Sequence, residues 1–356
     1  MSTVTSPTIG LDLGDKFSEV CVLDAQHKVR RRDRIKTDPV SFEELFRGYS
    51  GATVVFEVGS QSRWVQPLAR RTGLRAIAAD PRQLALITRS QKKTDARDAY
   101  ILARAGQGLP ELLNPVEHRS ESVHADLSLM RTREMLVDQR TQIVCRIRGL
   151  AKASGHKITG CTATYFFRTA RPQVPTHLEA ACAPLFVILK TIHEQLLAIH
   201  KQMKQLVRDK YPFVDRLMTI PSVGLRTALT FALTVEDPGR IRGTRDVGAY
   251  FGVTPRKKES GNSAPQLGIT KTGDTHVRRL LVLCAHHLLA RGKDCRLKRW
   301  GSALCERGGR NAKKRAIVAV ARKLAIHLLA VWRSGETYDM RRGVPSAEQP
   351  PPKPAT

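Results

Sequence analysis

Acidic residues are scarce in this 356-residue chain, 32 Asp and Glu against 60 Lys and Arg, so an acid standing in apolar surroundings carries information. Asp12 sits centrally in an apolar run between Gly10 and Gly14, and Glu57 closes the run Val54-Val55-Phe56. A carboxylate at such a place costs desolvation energy unless something compensates it. Asp95 and Asp98 stand three apart at the start of a helical pattern, which points both to one side of that helix. Four carboxylates converging from two strands and a helix suit a hard divalent cation, Mg2+ or Mn2+, which takes oxygen ligands and keeps waters for a phosphate. Two such ions about 4 Å apart would activate an oxygen nucleophile and stabilise the leaving oxygen of a phosphodiester. Lys92, Lys93 and Arg97 offer the plainer alternative of ion pairs with the same acids. The opening Ile9-Gly10-Leu11-Asp12-Leu13-Gly14 also fits the first phosphate loop of an actin-like ATPase, but no further Gly-rich nucleotide loop follows Glu57-Val58-Gly59.

A second constellation lies far downstream. Ser260 stands in a Gly/Asn/Ser loop framed by Arg256, Lys257 and Lys271, ahead of a basic helix that passes through Arg278 and Arg279. A hydroxyl there can attack a phosphodiester while one of the flanking cations stabilises the developing charge. The same composition equally describes a loop that only grips phosphate, and Ser263 is close enough to rival Ser260. Ile220-Pro221-Ser222-Val223-Gly224, followed by Thr227-Ala228, has the form of a helix-hairpin-helix turn that offers backbone N–H groups to a DNA phosphate. An ordinary connection between helices has that form too.

These residues need elements to hold them. Ile9 to Leu13 and Val20 to Leu23 read as two strands around Gly14-Asp15-Lys16, with further apolar runs at Thr53–Val58 and Arg75–Ala79. Helical patterns intervene at Ser41–Phe46, with Ser41 as cap, at Arg63–Thr72, and at Ala99–Gly106. Strands mixed with helices make residues 1–110 an α/β domain. Gly108, Pro110, Asn114 and Pro115 mark its boundary. Residues 111–212 read as an all-helical linker. Leu129, Leu136, Ile143 and Leu150 recur every seventh residue, and Leu185, Leu189, Ile192, Leu196, Ile199, Met203 and Leu206 fill a 4-3 repeat, with Ser154–Pro175 a loop between them. That stripe fits a helical hairpin within the chain and a coiled coil between two protomers equally well. Residues 213–340 form Gly-punctuated basic helices, and a Pro-rich tail over 341–356 has a disordered composition.

The formal net charge of +28 runs the whole length, which favours a nucleic acid over an anionic membrane surface. No window of about 18 apolar residues stands out, and Met1–Pro7 lacks the charged and apolar regions of a signal peptide, so the expected location is the cytoplasm, with no membrane partner. The seven scattered cysteines, none in a C-x-x-C pair, indicate neither disulfides nor zinc.

Taken in order, Gly10-Leu11-Asp12, Glu57, Lys93-Thr94-Asp95-Ala96-Arg97-Asp98-Ala99, the Ile-Pro-Ser-Val-Gly turn, Phe251-Gly252-Val253-Thr254-Pro255-Arg256 and Ser260 to Gly273 resemble insertion-sequence transposases of the Piv-related, DEDD class, the IS one-ten family of bridge-RNA-guided recombinases. The resemblance spans about residues 8 to 335. It implies a RuvC-like ribonuclease-H fold at the N-terminus, with Asp12, Glu57, Asp95 and Asp98 binding Mg2+. It further implies a coiled-coil linker used in homo-oligomerisation, and a C-terminal transposase domain whose serine nucleophile is Ser260. Thr270 stands where many relatives carry Ser. The implied partners are double-stranded donor and target DNA and a structured noncoding RNA, with Lys93, Arg97, Arg256, Lys257, Lys271, Arg278 and Arg279 as nucleic-acid contacts. The implied reaction exchanges DNA strands through a phosphoserine intermediate. The rival reading is a RuvC-like junction nuclease that hydrolyses DNA with water.

Overall fold

The computed structural model of the chain describes residues 6–81, 94–256, 258, 267–309 and 311–340. Two compact units divide it, Met1–Arg119 and Ser120–Thr356. In the first, five strands form one mixed sheet in the order β3-β2-β1-β4-β5: β1 Thr8–Asp12, β2 Phe17–Leu23, β3 Val29–Lys36, β4 Thr53–Glu57 and β5 Arg75–Ala79. The β1, β2 and β3 strands pair antiparallel, whereas β1, β4 and β5 pair parallel. Successive strand residues point to opposite faces. Ile9, Leu11, Val20, Val22, Val54 and Phe56 therefore share one face, where they pack with Phe42 and Phe46 of α1 (Pro39–Arg47) and Val65 and Leu68 of α2 (Ser62–Arg71). Cys21, Leu23, Val55 and Ile77 face the other side, toward Ala99, Leu102, Ala103 and Ala105 of α3 (Asp95–Gly108).

Three expectations shift here for local reasons. Strand β3 was not expected, because Val29-Arg30-Arg31-Arg32-Asp33-Arg34-Ile35-Lys36 shows almost no apolar alternation. It is an edge strand, where charge guards unpaired backbone groups. The cap of α1 is Asp38 rather than Ser41: the Asp38 carboxylate accepts the Ser41 N–H at 2.8 Å, and Pro39 opens the helix. The first unit extends to Arg119 because the segment after α3 stays zipped to β5, through Asp80 N–H to Leu113 O at 3.1 Å and Val116 N–H to Ala78 O at 2.8 Å.

The second unit is helical. Helix α4 (Glu121–Ala153) starts at Ser120, whose hydroxyl accepts the Val123 N–H. It packs lengthwise against α5 (Glu179–Asp209), whose buried stripe is Cys182, Phe186, Leu189, Ile192, Leu196, Ile199, Met203 and Val207. The 4-3 stripe is thus used within the chain. By length and composition alone Thr176–Asp209 could cross a membrane, contrary to the expectation that no such window exists; its buried stripe is the side packed on α4. Between the long helices, Ser154–Pro175 is largely irregular, with a helical turn at Phe166–Thr169 that stacks Phe166 on Phe186 and a tighter turn at Arg171–Gln173. Buried Asp126 closes the other end, accepting from the Tyr211 hydroxyl at 2.7 Å and from Lys210 Nζ at 3.2 Å. Burial and that carboxylate push the Tyr211 phenol above its ordinary value. The base of the hairpin, Leu127, Met130, Ile199, Met203 and Val207, shares one core with α6 (Leu225–Val235), α7 (Thr275–Arg291) and α9 (Ala312–Ser334), with α8 (Arg296–Glu306) set against α9. The tail over 341–356 lies outside the described residues.

Candidate active site

Asp12 and Glu57 end neighbouring parallel strands. The register pairs Gly10 with Val55 and Leu11 with Phe56, so Asp12 and Glu57 are the next residues on two adjacent strands whose backbones lie about 4.8 Å apart. Both lie on the face that α3 covers, since Gly10 and Asp12 alternate with the oppositely directed Ile9 and Leu11. The helix lies directly on β1. A Cβ built on Gly10 would meet the Ala99 carbonyl oxygen at 2.0 Å and the Ala103 nitrogen at 2.5 Å, while one on Gly106 would meet Val55 Cγ2 at 2.3 Å and Thr8 Cγ2 at 3.4 Å. Helix α3 therefore runs against the direction of β1, and its first turn, with Asp95 and Asp98, points toward the Asp12 end. Two acids in that turn also complement the positive end of the helix dipole. Asp12 and Asp98 are half-buried, whereas Glu57 and Asp95 are exposed.

The donor set is all carboxylate oxygen, which fits a hard dication in kind. Among the described residues no three His, Cys, Asp or Glu side chains gather closely enough to hold a metal. A fifth acid joins the same row: Glu19 of β2 is in register with Asp12 on the α3 face. Sequence reasoning passed it over, although the alternation Glu19, Cys21, Leu23 marks that face of β2.

The turn after Glu57 is fixed from beneath. The Gly59 N–H donates to the Ser62 hydroxyl at 3.0 Å, that hydroxyl donates to the Gly59 carbonyl at 2.8 Å, and His118 Nε2 lies 3.0 Å from it. Burial, aided by Arg63, Arg119 and Arg70, pushes His118 down to about 4, so the imidazole is neutral at pH 7.

In the second unit, two backbone arms come together around the segment that carries the candidate nucleophile. Pro255 bridges Ile269 antiparallel, Arg256 N–H donates to Gly268 O at 2.9 Å, Thr270 N–H to Thr254 O at 2.9 Å, and Lys271 N–H to Gly252 O at 3.1 Å. Ser260, Ser263 and Lys257 lie outside the described residues, as does Lys93. Two glycines allow the arms to touch: a Cβ on Gly252 would meet the Thr272 oxygen at 2.2 Å, and one on Gly273 the Tyr250 oxygen at 1.9 Å. Both have positive φ, 64° and 72°, where a side chain is strained.

The cations predicted to hold nucleic acid fall into two groups. Arg97, Arg256 and Lys271 are exposed. Arg278 instead turns inward, donating to Phe251 O at 3.0 Å and Thr272 O at 2.7 Å across both arms. Arg279 pairs with Glu134 and, at 3.5 Å, with Asp138 of α4. Glu134 also meets His276 at 3.3 Å, and burial, together with Arg279 and Arg226, holds that imidazole below its usual range. The Ile220–Gly224 turn leads into α6, with Ser222 at φ 65° and its hydroxyl 3.0 Å from His287 Nδ1.

Comparison with known proteins gives concordant matches. Residues 9–154 match an IS110-type DEDD transposase family, and residues 214–300 match the transposase IS116/IS110/IS902 family. The transposase for insertion sequence element IS1111A of Coxiella burnetii is 28% identical over 340 residues, covering 93% of this chain and 90% of that protein. A probable family 20 transposase of Pseudomonas aeruginosa is 28% identical over 341 residues, covering 93% and 98%. The pilin gene-inverting protein of Moraxella lacunata is 27% identical over 126 residues, covering 35% and 38%.

Proposed function

The chain belongs to the IS116/IS110/IS902 family of transposases, enzymes that cut and rejoin DNA, and from that premise we propose that it moves its own insertion sequence by strand exchange through a serine-linked intermediate. One observation carries the reading: parallel pairing of β1 and β4 sets Asp12 beside Glu57 on the face of α3, toward which the Asp95 and Asp98 turn is directed. Asp12, Glu57, Asp95 and Asp98 would hold Mg2+, or Mn2+ in its place, and the ion would neutralise charge on the scissile phosphate. The strand order β3-β2-β1-β4-β5, antiparallel on one side and parallel on the other, supports a RuvC-like ribonuclease-H fold.

The serine step balances without ATP. The Ser260 oxygen attacks phosphorus, a Ser–O–P bond forms, and the P–O bond to the leaving deoxyribose oxygen breaks, that oxygen taking up a proton. A deoxyribose hydroxyl of the exchanged strand then attacks the phosphoserine, rejoining DNA and returning the serine hydroxyl. The exposed Arg256 and Lys271, at the base of the serine segment, supply charge for the substrate phosphate. Arg278 holds the two arms rather than the substrate, and Arg279 is engaged with α4. A structured noncoding RNA chooses donor and target DNA by base pairing, a division of labour consistent with basic surface spread along the whole chain. A homo-oligomer working in the cytoplasm completes the reading, and the exposed Val187, Ile188 and Leu197 of α5 suit contact between copies.

The test is to incubate the protein, DNA carrying the element's ends, RNA transcribed from its flanks and Mg2+, then digest and map any protein–DNA adduct by mass spectrometry. The expected adduct sits on Ser260 and disappears in Ser260→Ala. An adduct on Ser263 moves the nucleophile. Strand cleavage that survives Ser260→Ala without any adduct makes the enzyme a hydrolase that uses water.

A further inference from the structure

Edge strand β3 presents two different faces. Register places Arg32 opposite Cys21, Arg34 opposite Glu19 and Lys36 opposite Phe17, so these three cations share the α3 face with Asp12 and Glu57. Arg34, Glu19, Asp12 and Glu57 form one row across four strands, with the Arg34 backbone roughly 10 Å from that of Asp12. Arg30 and Arg31 do not belong to this array. They are paired with Asp24 and Asp33, as charges guarding an edge would be.

The cations on the α3 face are held differently. The Arg32 guanidinium lies over the Tyr100 ring of α3, 5.7 Å from its centroid, and Arg34 lies 4.9 Å from the Phe17 centroid. Arg34 does meet Glu19 at 3.5 Å, yet its side chain stays 67% exposed. Phe17 itself is 45% exposed and belongs to no buried cluster. Guanidiniums laid on rings keep their N–H forks free for phosphate while losing less side-chain freedom on binding. Cations repeating every second residue, about 7 Å apart, beside an exposed aromatic ring are what an unpaired strand needs: phosphates on the cations, a base on the ring.

We propose that Arg32, Arg34, Lys36 and Phe17 form a track for the unpaired DNA strand that runs away from the scissile phosphate, on the β2–β3 side of the carboxylates. This rests on the reading of Asp12 and Glu57 as the cutting site, because only their position in the row makes the occupant DNA rather than guide RNA. An unpaired strand here explains how a duplex can be opened beside the cut: the track binds what base pairing would otherwise hide.

The experiment measures binding of a fluorescent single-stranded DNA by the full-length protein between low and moderate salt. Each lost phosphate contact lowers the slope of log affinity against log salt by about 0.7, so R32Q/R34Q/K36Q should lose about 2 from the slope. R32K/R34K should keep the slope, which separates lost charge from lost folding. Phe17→Ala should weaken binding about tenfold with the slope unchanged. R47Q/R71Q, which removes cations from helices on the opposite face, should change the single-strand slope by less than the value of one contact. The proposal is overturned if the triple variant retains the wild-type slope, if the opposite-face variant matches its loss, or if the loss appears with a structured RNA and not with DNA. Strand cleavage by Asp12→Asn is read separately: undiminished cleavage would remove the carboxylate reading while leaving the salt slopes as they are.

Discussion

Gly10→Ala puts a methyl group where the backbone of α3 already lies. The added Cβ would stand 2.0 Å from the Ala99 carbonyl oxygen and 2.5 Å from the Ala103 nitrogen, and neither neighbour is a flexible side chain that can swing away. Ordinary contact requires about 3.5 Å, so helix and strand must separate by roughly 1.5 Å. Overpacking of this kind costs about 3 kcal/mol, at the upper end of its usual range because backbone must move. The functional cost is larger, because the displaced helix carries Asp95 and Asp98 while Asp12 stays on β1; a misplacement of about 1 Å at a reacting centre costs on the order of 100-fold in rate. The assay is excision of the element from a plasmid, alongside thermal melting of the purified protein. Gly108→Ala is the control, since nothing lies within 4 Å of the new methyl at the far end of α3. Excision should fall at least about 100-fold in Gly10→Ala and stay at the wild-type level in Gly108→Ala. Wild-type excision by a normally stable Gly10→Ala would refute the claim that contact between β1 and α3 sets the geometry of the acids.

The same logic applies to the base of the serine segment. Gly273→Ala meets the Tyr250 oxygen at 1.9 Å with φ at 72°, so melting should drop by about 5 °C and excision should fall with it; an unchanged melting temperature contradicts the interlock. Acid should destabilise the second unit through His327, which burial beside Lys323 pushes down to about 4 from 6.5. Folding lowers this imidazole's affinity for protons, so its contribution is fully present above about pH 6.5 and is lost as pH falls through 4, on the order of 3 kcal/mol in all. His327→Phe should flatten the melting temperature between pH 6.5 and 4; a profile as steep as the wild type's places the acid sensitivity elsewhere.

Much of this arrangement is legible in the residues, for identifiable reasons. Strands β1, β4 and β5 announce themselves as short apolar runs, and acids at the ends of two of them stand out because burying charge is costly. What local pattern does not contain is pairing. That Asp12 neighbours Glu57 and also Glu19 follows from a parallel register across about forty residues of chain and an antiparallel one across a tight turn. Strand β3 is illegible by composition, because an edge strand needs cations where an inner one needs apolar groups. The middle of the α5 stripe, Leu189 to Met203, is buried as expected, but at its ends Phe186 and Val207 are buried in place of the half-buried Leu185 and Leu206; on α4 the heptad Leu129, Leu136, Ile143, Leu150 flanks the contact, while Leu127, Met130, Val144, Ile147 and Ala151 fill it. A strict seven-residue repeat drifts around a straight helix, so the buried line crosses from one set of positions to another. Arg278 looks like a surface cation in the sequence because its acceptors, two backbone carbonyls, are brought to it only by the tertiary fold; the fold likewise supplies Glu134 to Arg279, which stays exposed.

The most direct measurement of the central claim is the binding of Mn2+ to the protein–DNA complex, followed by electron paramagnetic resonance in the wild type, Asp12→Asn and Glu57→Gln. If neighbouring strand ends and the first turn of α3 supply one set of oxygen ligands, the wild type takes up Mn2+ and each variant loses it while still binding DNA. Undiminished Mn2+ binding in both variants would show that these acids do not hold the ion.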